Sequence, residues 1–531
     1  MLRNNILMRI AAVILGIAIF SNVGYGSIDY VTCRADDYTQ EYQEEYTEEY
    51  PEEYDTQYDD YFWNTYADPQ STFVTTDHSV TINGKKVKYT ATVGKMPMYD
   101  ALGTYNIYFN AFTKKEVDDV SDRPITFVFN GGPGAASLWL NIGGLGPQRI
   151  DVDEKGNVKN LPSTVKDNPY SILDLTDLVF IDPVGTGFSY VVGETDPLGF
   201  YTYNSDCYSV SDFIRKYISL YERWSSPKYL AGESYGTARA VGVCEYLQST
   251  FGIALNGIML ISSANDYGVL DNTVSDLYYV NYLPSYAASA WYHKKLNKTY
   301  QNMKLETFLE KVNEFASGEY LTALYKGNRI SSKEKKKIAK KMSKFTGLSQ
   351  SYILKHDLRV VMEDFCEELL SDSGQVIGRF DSRYTGINTG ESVAYLGGDP
   401  SSLGITEAFI SAYNDYISSK LEYKTDETYY DCSYETGAYW SFGLDNCYLA
   451  QEDNIKYIMS ANPRMKIWVI CGYYDLATPY SASEWVFSHI PLANSIKKNL
   501  SLTHYESGHM FYMNESSLKQ FHKDAKKWFE Q

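Results

Sequence analysis

Between a short strand, Lys228–Ala231, and a helix-compatible run, Thr237–Leu247, the chain reads Gly232-Glu233-Ser234-Tyr235-Gly236. A G-x-S-x-G segment in that setting predicts a sharp turn from a strand into a helix. The glycines leave room for crossing backbone, the serine hydroxyl is lifted above the sheet, and the helix behind it offers N–H groups and a positive dipole end. The turn needs a sheet beneath it. Ile125–Phe129, Leu178–Ile181, Ile258–Ile261 and Ile467–Ile470 are short, β-rich apolar runs of the length expected for buried strands of a mostly parallel sheet. Helical patterns lie between them, so the fold class is α/β. Ahead of these runs, Ser79–Val93 alternates around an Asn83-Gly84 hairpin turn, and Tyr105–Phe112 alternates again.

A serine nucleophile needs a base, and the base needs an orienting acid. The run Ile467–Ile470 leads into Cys471-Gly472-Tyr473-Tyr474-Asp475, and Tyr505-Glu506-Ser507-Gly508-His509-Met510 follows another apolar stretch. Ser234, Asp475 and His509 therefore occur in the chain order of an α/β-hydrolase triad. Phe129-Asn130-Gly131-Gly132-Pro133-Gly134 ends a strand with glycines that let backbone N–H groups approach a ligand, as the second oxyanion donor requires. From about residue 266 to 453 the strand rhythm stops. The stripe Leu305, Phe308, Leu309, Val312, Phe315 and Ala316, the lysine-rich Ser331–Lys344 and Val360–Leu370 all read as helices. This predicts a helical cap inserted in one α/β-hydrolase domain spanning about 71–531, closed by an amphipathic helix at Ser516–Phe529.

Asn130-Gly131-Gly132-Pro133-Gly134, Asp182-Pro183-Val184-Gly185-Thr186-Gly187-Phe188-Ser189-Tyr190, Gly232-Glu233-Ser234-Tyr235-Gly236 and Gly508-His509-Met510 together resemble, in order, the signatures of the serine carboxypeptidases, peptidase family S10. The resemblance extends from about Thr81 to Gln531. Tyr282-Leu283-Pro284-Ser285-Tyr286-Ala287 looks most like the bacterial branch. It implies Ser234 as nucleophile, His509 as general base and Asp475 as its partner, with the amides of Gly132 and Tyr235 as oxyanion hole. It further implies that Asn130, Gly131 and Glu233 bind the carboxylate of a peptide's last residue, which requires Glu233 to hold a proton. Two departures stand out. Ala135-Ala136-Ser137 replaces the family's frequent Cys-Ser-Ser, and Gly144 stands before Leu145-Gly146-Pro147 where many carboxypeptidases carry a second glutamate, paired with the first. Glu233 should therefore ionise at lower pH than in a paired member. The resemblance implies a serine-type carboxypeptidase-like hydrolase working on peptides through an acyl-enzyme. An esterase or acyltransferase on the same scaffold is the alternative. A non-catalytic surface-binding protein is a third reading, opposed by the intact triad.

Residues 1–26 read as a signal peptide. Arg3 and Arg9 precede the apolar run Ile10–Phe20, too short to span a bilayer comfortably, and Gly24 and Gly26 suit cleavage. An uncleaved anchor is the alternative. The reading implies a secreted protein with no stable membrane insertion after cleavage. Residues 27–70 are a low-complexity segment in which Tyr38, Tyr42, Tyr46, Tyr50, Tyr54 and Tyr58 recur every four residues. Twelve carboxylates and no lysine or arginine lie between Asp36 and Tyr61; without them the formal charge falls from −19 to −7. The segment reads as a solvated, disordered spacer or as a sticky acidic-aromatic tail that touches a cell surface. The acidic balance excludes nucleic acid as the expected partner. Seven cysteines at irregular spacing make no disulfide framework, Cys432 and Cys447 being the best candidate bridge. No Cys/His spacing suggests a metal, and no cofactor is expected.

Overall fold

The computed structural model describes residues 73–443 and 448–530. The expected signal peptide, the Tyr-rich segment and the Cys447 half of the candidate bridge lie outside these residues.

Ten strands form the main sheet: β1 (Phe73–Ile82), β2 (Lys85–Asp100), β3 (Gly103–Lys114), β4 (Ile125–Phe129), β5 (Asp177–Ile181), β6 (Tyr190–Val191), β7 (Lys228–Ser234), β8 (Gly257–Ser263), β9 (Lys466–Gly472) and β10 (Leu500–Tyr505). Their order is β1-β2-β3-β5-β4-β7-β8-β9-β10, with β6 paired to β3. The first three strands run as an antiparallel meander, and β3 meets β5 antiparallel. From β5 to β10 every pairing is parallel. Asn83 and Gly84 turn the first hairpin at φ 46° and 77°, both left-handed, as a two-residue hairpin turn needs.

The parallel strands are buried on both faces because each supplies two cores. Phe127 and Phe129, Leu230, Ile258 and Leu260, and Ile467 and Val469 join one cluster. Their neighbours Val128, Ala231, Met259, Ile261, Trp468 and Ile470 join the other. This is the period of two of a pleated strand covered on both sides. Helices α1 (Tyr203–Leu220) and α2 (Tyr235–Ser249) cover the first face, and the C-terminal helix α9 (Glu515–Glu530) packs Phe521 and Trp528 on Trp468 across the second. The architecture is the α/β-hydrolase fold with a helical cap.

Between β8 and β9 the chain leaves the sheet. It forms α3 (Leu277–Tyr292), α4 (Leu305–Phe315), α5 (Ser332–Thr346), α6 (Thr406–Asp415) and α7 (Glu452–Ala461), with α8 (Tyr480–His489) following β9. Helix α5 buries Ile338, Ala339, Met342 and Phe345 and leaves its lysines exposed or half-buried; Ser331 caps it and Gly347 ends it at φ 75°. The helix expected at Val360–Leu370 is shorter, Met362–Glu368. The insertion also contains a small hairpin, Gln375–Ile377 with Thr385–Ile387, which the sequence did not suggest.

Candidate active site

Strand β7 runs to Ser234 and helix α2 begins at the next residue. Ser234 sits at φ 60°, ψ −130°, a strained conformation for a residue with a Cβ. Close packing holds it there. A Cβ on Gly232 would overlap the carbonyl of Gly236, and one on Gly236 would lie 2.7 Å from the carbonyl oxygen of Asn130. A Cβ on Gly131 would lie 2.6 Å from both the Glu233 carbonyl and the Tyr235 nitrogen. The Asn130–Gly134 loop therefore lies directly on the turn, and Tyr235, first residue of α2, has an N–H with no intrahelical acceptor. A buried network ties the two together. Asp206 accepts from the Tyr235 hydroxyl and from Arg239, each at 2.7 Å, and Arg239 also donates to the Asn130 carbonyl at 2.5 Å.

Asp475 follows β9 and is fully buried. Its Oδ1 accepts from the backbone of Ala477 and Thr478; its Oδ2 accepts from the Thr478 hydroxyl at 2.7 Å and lies 2.8 Å from His509 Nδ1. That contact leaves Nε2 as the imidazole nitrogen available to a reacting group. Burial disfavours the charged ring, but the Asp475 carboxylate outweighs it by charge and hydrogen bond, so His509 lies above its ordinary pKa. His509 is also held by its backbone: its N–H donates to the Phe380 carbonyl, and its carbonyl accepts from Ser262, the residue at the bulge of β8.

Ser234, His509, Asn130, Gly131, Gly132 and Glu233 line one cavity of about 290 Å³, walled on its apolar side by Trp139, Phe380, Leu396, Ile405 and Met510. A second recess of about 350 Å³ shares Gly132, Ser234 and Arg379 with it and adds Tyr267, Tyr278, Tyr282 and Glu363. Ser234 thus borders both recesses. Tyr235 and Asp475 do not line the first cavity: the former touches it through the turn, the latter through His509.

Glu233 is 4% exposed. Its Oε1 accepts from Asn130 Nδ2 at 3.1 Å and from the Tyr512 hydroxyl at 3.2 Å. Asn130 is fixed in that orientation because its Oδ1 accepts from the Leu140 N–H. Burial pushes Glu233 up to about 7, against the pull of nearby His509. Gly144, where the second glutamate was missed, packs against Tyr512: a Cβ there would overlap the Tyr512 Cβ and lie 2.8 Å from its Cγ. The missing carboxylate thus leaves Glu233 well above the ordinary range, with burial as the main cause.

Three contributors were invisible in the sequence. Tyr512 is one. Arg379, lining both recesses, is another. The third is the turn of the small hairpin, where Asp381 accepts from the Gly508 N–H and Arg383 spans from Asp381 to the Glu506 carbonyl, clamping the His509 loop. Met510 is a wall of the first cavity. Of the cysteines, Cys207, Cys244, Cys366, Cys432 and Cys471 are free thiols. Among the described residues no cluster of ligating side chains could hold a metal, and no helix is long and apolar enough to cross a membrane.

The serine carboxypeptidase family profile matches residues 98–521. The pheromone-processing carboxypeptidase KEX1 of Yarrowia lipolytica is 32% identical over 175 residues, 29% of this chain and 26% of that protein. Serine carboxypeptidase-like 20 of Arabidopsis thaliana is 31% identical over 120 residues, 22% of each. The chain thus spans about a quarter of the length of these curated relatives. Among solved structures, the prohormone-processing carboxypeptidase Kex1(delta)p of Saccharomyces cerevisiae superposes with a TM-score of 0.52 at 15% identity, covering 88% of this chain and 93% of that one; this likeness speaks to the fold.

Proposed function

For a chain that belongs to the serine carboxypeptidase family, we propose a secreted hydrolase that removes the last residue of a peptide through an acyl-enzyme on Ser234. The observation that carries the reading is a buried carboxyl group, Glu233, sharing a cavity with Ser234 and His509. A carboxyl group raised to about 7 is protonated in mild acid and donates to a carboxylate it would otherwise repel.

In this reading Ser234 Oγ attacks the scissile carbonyl carbon while its proton passes to His509 Nε2. The Gly132 and Tyr235 N–H groups hold the oxyanion. His509 returns the proton to the departing amine, and the terminal residue leaves. A water then gives its proton to His509 and attacks the ester, releasing the shortened peptide and restoring the Ser234 hydroxyl. Asp475 keeps the imidazole in one tautomer and steadies its charged form. The apolar walls Trp139, Phe380, Leu396 and Ile405 favour a large apolar terminal residue.

Gly144 supports a second reading, an esterase or acyltransferase using the same acyl-enzyme, because the usual carboxylate pair is absent. Assays of blocked dipeptides against small acyl esters separate the two. Faster turnover of dipeptides with a free terminal carboxylate supports the first; esters alone as substrates support the second. Membership of the bacterial branch rests on Tyr282-Leu283-Pro284-Ser285-Tyr286-Ala287, and secretion on residues 1–26.

A further inference from the structure

Glu233 has two oxygens in unlike surroundings. Oε1 accepts two hydrogen bonds, from Asn130 Nδ2 and from the Tyr512 hydroxyl. Oε2 is buried and has no partner. A carboxyl oxygen offers two in-plane lone pairs, so an Oε1 engaged by two donors has no room for a proton as well. The proton of the neutral acid then belongs on Oε2, the oxygen left for a ligand in the cavity. Tyr512 can reach Glu233 because Gly143 and Gly144 have no side chains. A Cβ on Gly143 would lie 2.5 Å from the Tyr512 ring and one on Gly144 2.8 Å from its Cγ, so Tyr512 fills the space in which a residue-144 glutamate would have to begin.

We infer that Tyr512 is a positioning residue that takes the place of the absent second carboxyl group, holding Oε1 as an acceptor so that Glu233 presents its proton from Oε2 to the substrate carboxylate. A shared-proton pair needs acid to supply its proton, and its titration belongs to two carboxyls. A phenol remains protonated across the working pH range, so a single group, Glu233, sets the response. The charged and titratable groups around Glu233 are His509 and Tyr512 from the loop after β10, Asp475 from the loop after β9, and Arg379 from the insertion, which lines the same cavity. None of the others donates to Glu233.

The inference rests on the carboxypeptidase reading and is tested so that the two can fail separately. The full chain, with Tyr512→Phe beside wild type, is assayed with a blocked dipeptide and its C-terminal amide from about pH 4 to 8. The ratio of the two kcat/KM values is followed, so any loss of overall rate or folded fraction divides out. Removing a donor to the ionised carboxylate disfavours ionisation, so the midpoint at which the ratio falls should move up by about half to one pH unit. Incorporating 3-fluorotyrosine at position 512 keeps the ring and makes the hydroxyl a stronger donor that still holds its proton over this range. It should move the midpoint the other way. A wild-type ratio that does not change with pH overturns both readings. A wild-type ratio that falls, with a midpoint unmoved by both replacements or shifted in the opposite sense, overturns the role of Tyr512 alone.

Discussion

Glu233→Gln should abolish one pH dependence and leave another. In the wild type a free-carboxylate peptide needs Glu233 protonated and His509 neutral, whereas its amide needs only the latter, because it brings no anion to Glu233. The ratio of kcat/KM for acid over amide therefore cancels His509 and follows the protonated fraction of Glu233. With Glu233 pushed up to about 7 by burial, that fraction is about 99% near pH 5, about 50% near pH 7 and about 9% near pH 8. The ratio should fall about tenfold between the first and last of these. The sign follows from the direction of the shift: a raised carboxyl keeps its proton, and its function, below its own pKa and loses both above it. Glutamine keeps the Oε1 acceptor for Asn130 and Tyr512 and puts an N–H donor in place of Oε2, so its ratio should be flat. Stopped assays of a blocked dipeptide and its amide in matched-ionic-strength buffers measure it. A ratio that still falls in Glu233→Gln would falsify the assignment, since some other group would then be reading the carboxylate.

His509→Ala should lower kcat by several orders of magnitude, and Asp475→Asn by less, because the first removes the base and the second disturbs only its orientation and charge; single-turnover assays rank them, and a larger loss from Asp475→Asn would contradict the roles given. Deleting Asp36–Tyr61 should leave kcat on a small soluble substrate within about threefold of wild type if the segment is the solvated spacer that its acidic, low-complexity sequence suggests. Loss of cooperative melting in that deletion would show instead that the tyrosines pack against the catalytic domain.

Ser234, Asp475 and His509 were legible because each is tied to the end of a short apolar strand, and strand ends are where this architecture gathers side chains from distant parts of the chain. The turn at Asn83-Gly84 was legible because a two-residue hairpin turn needs left-handed backbone, which those residues adopt readily. Tyr512 was not legible. It lies 279 residues from Glu233 and beside Phe511, where an aromatic reads as packing. Its role depends on what Gly144 lacks, and only the folded chain brings the two together. Asp381 and Arg383 were hidden for a similar reason. They belong to a turn in an insertion with no strand rhythm, and they reach the His509 loop largely through the Gly508 N–H and the Glu506 carbonyl, backbone groups that carry no sequence signal. Strand β10, Leu500–Tyr505, sits at the sheet edge; its alternation is weak because most of its residues are only partly buried.

The central claim is that Ser234 is the nucleophile and that His509 activates it. Intact-mass analysis after treatment with a fluorophosphonate probe, followed by peptide mapping, tests it most directly. The account predicts a single adduct on the peptide containing Ser234, absent from Ser234→Ala and much slower to form in His509→Ala. An adduct that persists in Ser234→Ala, or that maps to another residue, would contradict it.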